Sequence, residues 1–93
     1  MKKIQDYVER IQEEIDDARE YAEKYHANHR NERYRQMAED ELKHADYLHE
    51  MAVADIEKLK EEYTPPADMQ KTWDLSHREY IEQAAWVRQM LAL

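Results

Sequence analysis

YRQMAEDELKHADYL, the stretch from Tyr34 to Leu48, decides the fold of this 93-residue chain. At about 100° per residue, its apolar positions continue down the chain as one narrow helical stripe. The stripe comprises Tyr34, Ala38, Ala45, Ala52, Ile56 and Leu59. Glu41 falls inside this stripe, and His44 lies one turn further on, at its flank. Because a carboxylate directed at a core costs free energy unless a charge, a metal or a proton compensates it, Glu41 is the first candidate functional residue.

The composition predicts an all-α protein. The chain has no Gly, only two Pro, and many of the residues that favour helices. Charged residues make up 39% of the chain, so one copy carries only thin apolar seams. Thin seams in a short chain favour a homodimer or a larger homo-oligomer that buries them jointly.

Charge and cysteine content exclude several classes of function. The net charge of −8 disfavours nucleic acid and anionic membranes as partners and is compatible with attracting cations. The absence of Cys excludes disulfides, zinc fingers and rubredoxin-type iron sites. No window is apolar enough to span a membrane, and no apolar run follows Lys2 and Lys3 as in a secretory leader. We therefore expect a cytoplasmic protein.

Periodicity and breaker residues predict three helices, at about 4–27, 32–62 and 67–91. In the short link at 28–31, two Asn residues can end the first helix in the left-handed conformation and cap the second, so the two helices should be antiparallel neighbours. After the second helix, we expect Thr64 to be the N-cap of the third and Pro65 its first helical residue. Residues 1–63 thus form a helical hairpin, and residues 64–93 form a third helix for docking or oligomerisation.

Glu41 and His44 form a Glu-x-x-His pair, whose two side chains project from one side of a helix and can reach one ion. Related pairs occur at Glu23/His26, Asp46/His49 and Asp74/His77. The acids of these three pairs lie well away from the apolar stripes of their helices, so they are expected on the surface. A purely structural role is the alternative for Glu41 and His44. Glu41 would then be protonated or hydrogen-bonded locally, and His44 would pair with Asp40.

A second inward-facing acid is expected on the first helix. Folding the chain back at residues 28–31 brings Glu14 to the level of His44. Asp17 is the second choice. It lies nearer the level of Glu41 along the helix axis, but its direction around the helix is less favourable. A solvent-exposed position at the rim is the alternative for Glu14. Tyr21 and Tyr34, each seven residues from one of the acids, could support the site or simply fill the core.

These residues resemble the ferritin-like superfamily, particularly its rubrerythrin and encapsulated-ferritin branches. The family pattern is an aromatic residue, then Ala-x-x-Glu-x-x-His-Ala, then Leu. Here the matching positions are Tyr34, Ala38, Glu41, His44, Ala45 and Leu48. The resemblance covers residues 4 to about 62, and the third helix carries no counterpart acid.

The resemblance implies an iron site whose ligands are Glu14, Glu41 and His44, with manganese as the alternative metal. The full superfamily site uses four carboxylates and two His, and one chain supplies half of that set. Two copies related by a two-fold axis would supply all of it, in a ferritin-like four-helix bundle. The implied function is oxidation of Fe(II), as a ferroxidase in iron handling or oxidative-stress defence, with a protein shell as a further partner.

Two other functions stay open. One is a non-catalytic helical assembly or interaction module on a ferritin-like scaffold, which the bulky, acid-free third helix favours. The other is a divalent-metal buffer without redox chemistry.

Overall fold

The computed structural model describes residues 2–93, with side chains from Ile4 onward, and within this range the chain is all-helical. Helix α1 is Lys2–Ala27, α2 is Glu32–Glu62 and α3 is Ala67–Ala92. The helices form an elongated bundle 51 Å long. Three helices were predicted, and their observed limits lie within two residues of the predicted ones. The expectation that the N-terminus is not a leader rests on Lys2 and Lys3, whose side chains lie outside this description.

The turn between α1 and α2 uses one of the two Asn residues as predicted. The side chain of Asn31 caps α2 by accepting a hydrogen bond from the N–H of Arg33 at 2.9 Å. The left-handed residues are His29 and Arg30, both with φ of 58°, and not an Asn. The N–H of Arg30 bonds to the carbonyl of Tyr25 at 2.8 Å, which is the bond that closes a Schellman motif with His29 at its left-handed position.

The start of α3 differs from the prediction. Its N-cap is Pro66, with φ −57° and ψ 150°, and no side chain caps the helix. Thr64 and Pro65 lie in the link before it. Because two consecutive prolines keep the preceding backbone extended, the helix cannot begin before the second of them.

A seam of alanines joins α1 to α2. Ala18, Ala22, Ala38 and Ala45 have no exposed surface at all. Side chains this small let the two helix backbones approach closely along the middle of the hairpin. Around this seam pack larger buried residues, among them Ile11, Ile15, Tyr25, Leu42 and Leu48.

The buried residues of α2 follow the predicted stripe through the middle of the helix, at Ala38, Ala45 and Ala52. Leu42 and Leu48 are buried, whereas Tyr34, Ile56 and Leu59 are half-buried. Glu41 lies at the edge of the buried surface rather than inside it, with 21% of its side chain exposed. Leu42 and Leu48 flank the stripe on its two sides, and only its ends are less buried than predicted.

Helix α3 runs in the same direction as α1 and packs mainly against it. Its buried residues all lie in the C-terminal half, at Ala84, Val87 and Leu91. The Nε2 of Gln12 donates to the Oε1 of Gln83 at 3.0 Å, and Arg19 lies 5.1 Å from the ring centre of Trp86. These contacts tie α3 to one side of the hairpin.

We predict that Ala45→Leu lowers the free energy of unfolding by about 1–3 kcal/mol, because a larger side chain overpacks the seam. The matched control is Ala54→Leu, at an exposed position of the same helix, where we expect a change within about 0.5 kcal/mol. Urea unfolding followed by circular dichroism measures both. Equal effects of the two substitutions would contradict the close approach of α1 and α2.

Candidate metal centre

Glu14, Glu41 and His44 converge on one point between α1 and α2. One ligand atom from each residue lies within 4.8 Å of the other two. The Nδ1 of His44 is 3.6 Å from Oε2 of Glu14 and 4.0 Å from Oε1 of Glu41. The structure thus brings together the three residues that the sequence selected.

The three side chains differ in exposure. Glu14 is 19% exposed and Glu41 is 21% exposed, whereas His44 is 63% exposed. The two carboxylates therefore lie in a shallow recess, and the imidazole stands at its rim. The solvent-exposed rim position that was the alternative for Glu14 is instead occupied by His44.

The electrostatics of the recess favour a proton or a cation. Hydrogen bonding with Glu14, burial, and the negative charges of Glu14, Asp17 and Asp40 raise the pKa of Glu41 to about 7. Two carboxylates this close cannot both be ionised without a compensating positive charge.

The second-choice ligand, Asp17, stays outside the group. Its side chain is exposed, and it acts on the site only through its charge. Asp40 was the alternative partner of His44. Its Oδ1 instead accepts a hydrogen bond from Nε2 of Gln36 at 2.9 Å, and its charge too raises the pKa of Glu41.

The other Glu-x-x-His and Asp-x-x-His pairs do not join this group. Glu23 and Asp74 are exposed, as expected from their angles. Nε2 of His26 bonds to the main-chain carbonyl of Met90, so this imidazole holds the end of α3. Asp46 pairs with Arg88 at 3.3 Å.

The donor set fits a divalent metal ion. Bonds of about 2.0–2.2 Å to one ion place its ligand atoms between about 2.8 and 4.4 Å apart, and both His44 distances fall in this interval. Two carboxylate donors and one imidazole are a set that Fe(II) and Mn(II) accept. Three protein ligands leave further coordination positions open.

The recess lies on a face of the hairpin that α3 leaves uncovered. The contacts of α3 with α2 involve Asp46 and His49, which lie about 140–160° around the helix from His44. Beside the recess, Met37 is exposed, and Tyr7, Tyr21, Tyr34 and Met51 are half-buried. The uncovered face, meaning Glu14, Glu41, His44 and these five residues, is thus polar at its centre and apolar around it.

Comparisons with known proteins found no match among protein-family models, curated proteins or solved structures. Among the described residues, no helix is both long enough and apolar enough to cross a membrane.

We predict that Glu41→Gln stabilises the metal-free chain at pH 8 by about 1–3 kcal/mol more than at pH 5. The folded-state pKa of Glu41, about 7, exceeds its ordinary value of 4.5, so the folded chain binds the proton more tightly. The stability from this proton is complete below pH 4.5 and is lost as the pH rises through 7, at up to about 1.4 kcal/mol per pH unit. Glutamine keeps the neutral form at every pH.

Urea unfolding in the presence of a chelator, at pH 5 and pH 8, measures this difference. Glu57→Gln is the matched control, because Glu57 is exposed on the same helix. If Glu41→Gln and Glu57→Gln showed the same pH dependence, the recess would not perturb Glu41.

Proposed function

We propose that this chain is a ferritin-like di-iron protein that oxidises Fe(II) at a site shared between two copies. The observation that carries the proposal is the convergence of Glu14, Glu41 and His44 on the uncovered face of the hairpin. The donor set is the one expected from the Glu-x-x-His motif and its partner helix, and the net charge of −8 attracts cations.

A second copy completes the site in this proposal. One chain offers two carboxylates and one imidazole, and a two-fold axis through the uncovered face doubles the set. Two hairpins facing each other form a four-helix bundle whose centre holds the ligands. The exposed and half-buried Met and Tyr side chains around the recess would be buried by the same contact. Metal binding and the burial of apolar surface thus favour the same dimer, in which the two hairpins face each other.

Each ligand has a distinct role in the proposal. Glu14 and Glu41, whose carboxylates already lie together, hold the two irons as a pair, and His44 binds from the rim of the recess. Fe(II) is the substrate, and dioxygen or peroxide oxidises it to Fe(III) at this site. Metal binding at neutral pH also displaces the proton that Glu41 retains, so iron affinity should increase with pH. Manganese would bind to the same ligands, but it would not undergo the same oxidation as Fe(II).

We predict about one Fe(II) per chain after anaerobic loading and desalting, since two irons are shared by two chains. Glu41→Ala should lose the bound iron and the oxygen uptake that follows exposure to air. The measurements are the iron content per chain and oxygen consumption with an electrode.

Glu23→Ala is the matched control, because it removes the acid of another Glu-x-x-His pair from an exposed position. We expect its iron content to equal that of the wild type. No retained iron in the wild type would contradict the proposal. Retained Fe(II) without oxygen uptake would instead indicate a metal buffer.

We predict that Met37→Asp prevents dimerisation, because it places a charge in the apolar border of the uncovered face. Leu75→Asp, at an exposed position of α3 on the other side of the hairpin, should leave the dimer intact. Sedimentation velocity with and without Fe(II) gives the mass of the assembly. A monomer under both conditions in the wild type would contradict a shared site.

A non-catalytic assembly module is the second candidate function, and the exposed side chains of α3 favour it. Leu75 and Ile81 are more than half exposed on this helix, at 54% and 51%. In that case Glu41 has no metal to bind, and Glu41→Leu should leave the assembly intact or make it more stable. In the di-iron protein, the same substitution abolishes iron binding.

A further inference from the structure

Two Asp-x-x-His motifs that take no part in the metal centre meet between α2 and α3. The acids of the Asp46/His49 and Asp74/His77 pairs were expected on the surface, and no contact between the two pairs was predicted. The structure places Nε2 of His49 2.8 Å from Nδ1 of His77. The ring centres are 4.8 Å apart, and the ring planes are inclined by 31°.

The position of His49 is defined by its neighbours. Its ring stacks on Tyr80 with a centre-to-centre distance of 4.8 Å and an angle of 18°. His49 is half-buried, whereas His77 is exposed, so the pair is open to solvent on one side. Asp46, one turn before His49, is held by Arg88 and is turned toward that guanidinium.

The pair borders a cleft of about 310 Å³ at the N-terminal half of α3. Its walls include Val8, Ile15, Ile56 and Trp73. In this half α3 has no fully buried residue, so contact with the hairpin is weaker than around Val87. The histidine pair is therefore a principal link between α2 and α3 at this level of the bundle.

We propose that His49 and His77 together bind a divalent ion of the kind that prefers imidazole, such as Cu²⁺ or Zn²⁺, with water completing the coordination. Two nitrogens bound to one such ion at about 2.0–2.1 Å lie about 2.9–3.4 Å apart. The observed 2.8 Å is close to this interval, and the two nitrogens already face each other in a hydrogen bond that the ion would replace. Imidazole nitrogens select Cu²⁺, Ni²⁺ and Zn²⁺ over the hard cations that carboxylates and water suit.

This site is separate from the carboxylate recess. It lies on the side of α2 that faces α3, whereas Glu41 and His44 lie on the uncovered face. It needs no second copy of the chain, because one chain supplies both nitrogens. A bound ion would cross-link α2 to α3 and hold the N-terminal half of α3 against the hairpin. Nothing in this proposal depends on iron binding at Glu14, Glu41 and His44.

The test is a Cu²⁺ titration of the full chain that follows quenching of Trp73, which shares the cleft with both histidines. The background carries Glu41→Ala, to remove the carboxylate recess, and Trp86→Phe, to leave one fluorophore. We expect saturable quenching, and His49→Gln or His77→Gln should each weaken Cu²⁺ binding about 10- to 100-fold, because two linked donors bind far more tightly than one. The double variant, which keeps neither imidazole, should lose the saturable quenching altogether.

His29→Gln is the matched control, because His29 is exposed in the turn between α1 and α2, and it should leave the titration unchanged. Circular dichroism establishes that each variant stays helical, and His77→Gln, at an exposed position, is the variant least able to disturb the fold. Unchanged quenching in His77→Gln would overturn the proposal. So would an EPR spectrum in which Cu²⁺ couples to one nitrogen only.

Discussion

The close approach of α1 and α2 along their alanine seam is the constraint on which the rest of the structure depends. Ala18, Ala22, Ala38 and Ala45 have no exposed surface, and these small side chains line the contact between the two helices. At the edge of this seam the carboxylates of Glu14 and Glu41 come together, and the pKa of Glu41 rises to about 7 as a result. The same packing that stabilises the hairpin therefore creates its least favourable electrostatic contact, and both effects follow from small side chains at the seam.

An unfavourable contact between two carboxylates favours the binding of a proton or a cation. Two close carboxylates destabilise the folded chain near neutral pH unless a proton or a cation lies between them, so the fold itself favours binding of a positive charge. An apolar pair would give a more stable hairpin, as is common when buried ionic groups are replaced. Local departures from the best packing are typical of functional sites, and this one lies beside an imidazole at ligand distance.

Helix α3 divides the hairpin into two unlike sides. Its C-terminal half buries Ala84, Val87 and Leu91 against the core, whereas its N-terminal half leaves a cleft beside the histidine pair. The opposite side, with the carboxylate recess and its border of Met and Tyr, stays uncovered by the chain's own helices. One side is thus shaped for contact within the chain, and the proposed second copy would occupy the other.

The sequence by itself determined the all-α class, the three helices and the Asn31 cap, because these depend on periodicity and local hydrogen bonding. It also selected Glu14, Glu41 and His44 as neighbours, since a short link fixes which levels of two antiparallel helices meet. Only the tertiary structure decided how far Glu41 is buried, because the exposure of a residue at the edge of a helix contact depends on how closely the neighbouring side chains pack. It also decided that His29 and Arg30 take the left-handed turn and that His49 meets His77, because both follow from how complete helices are placed against one another.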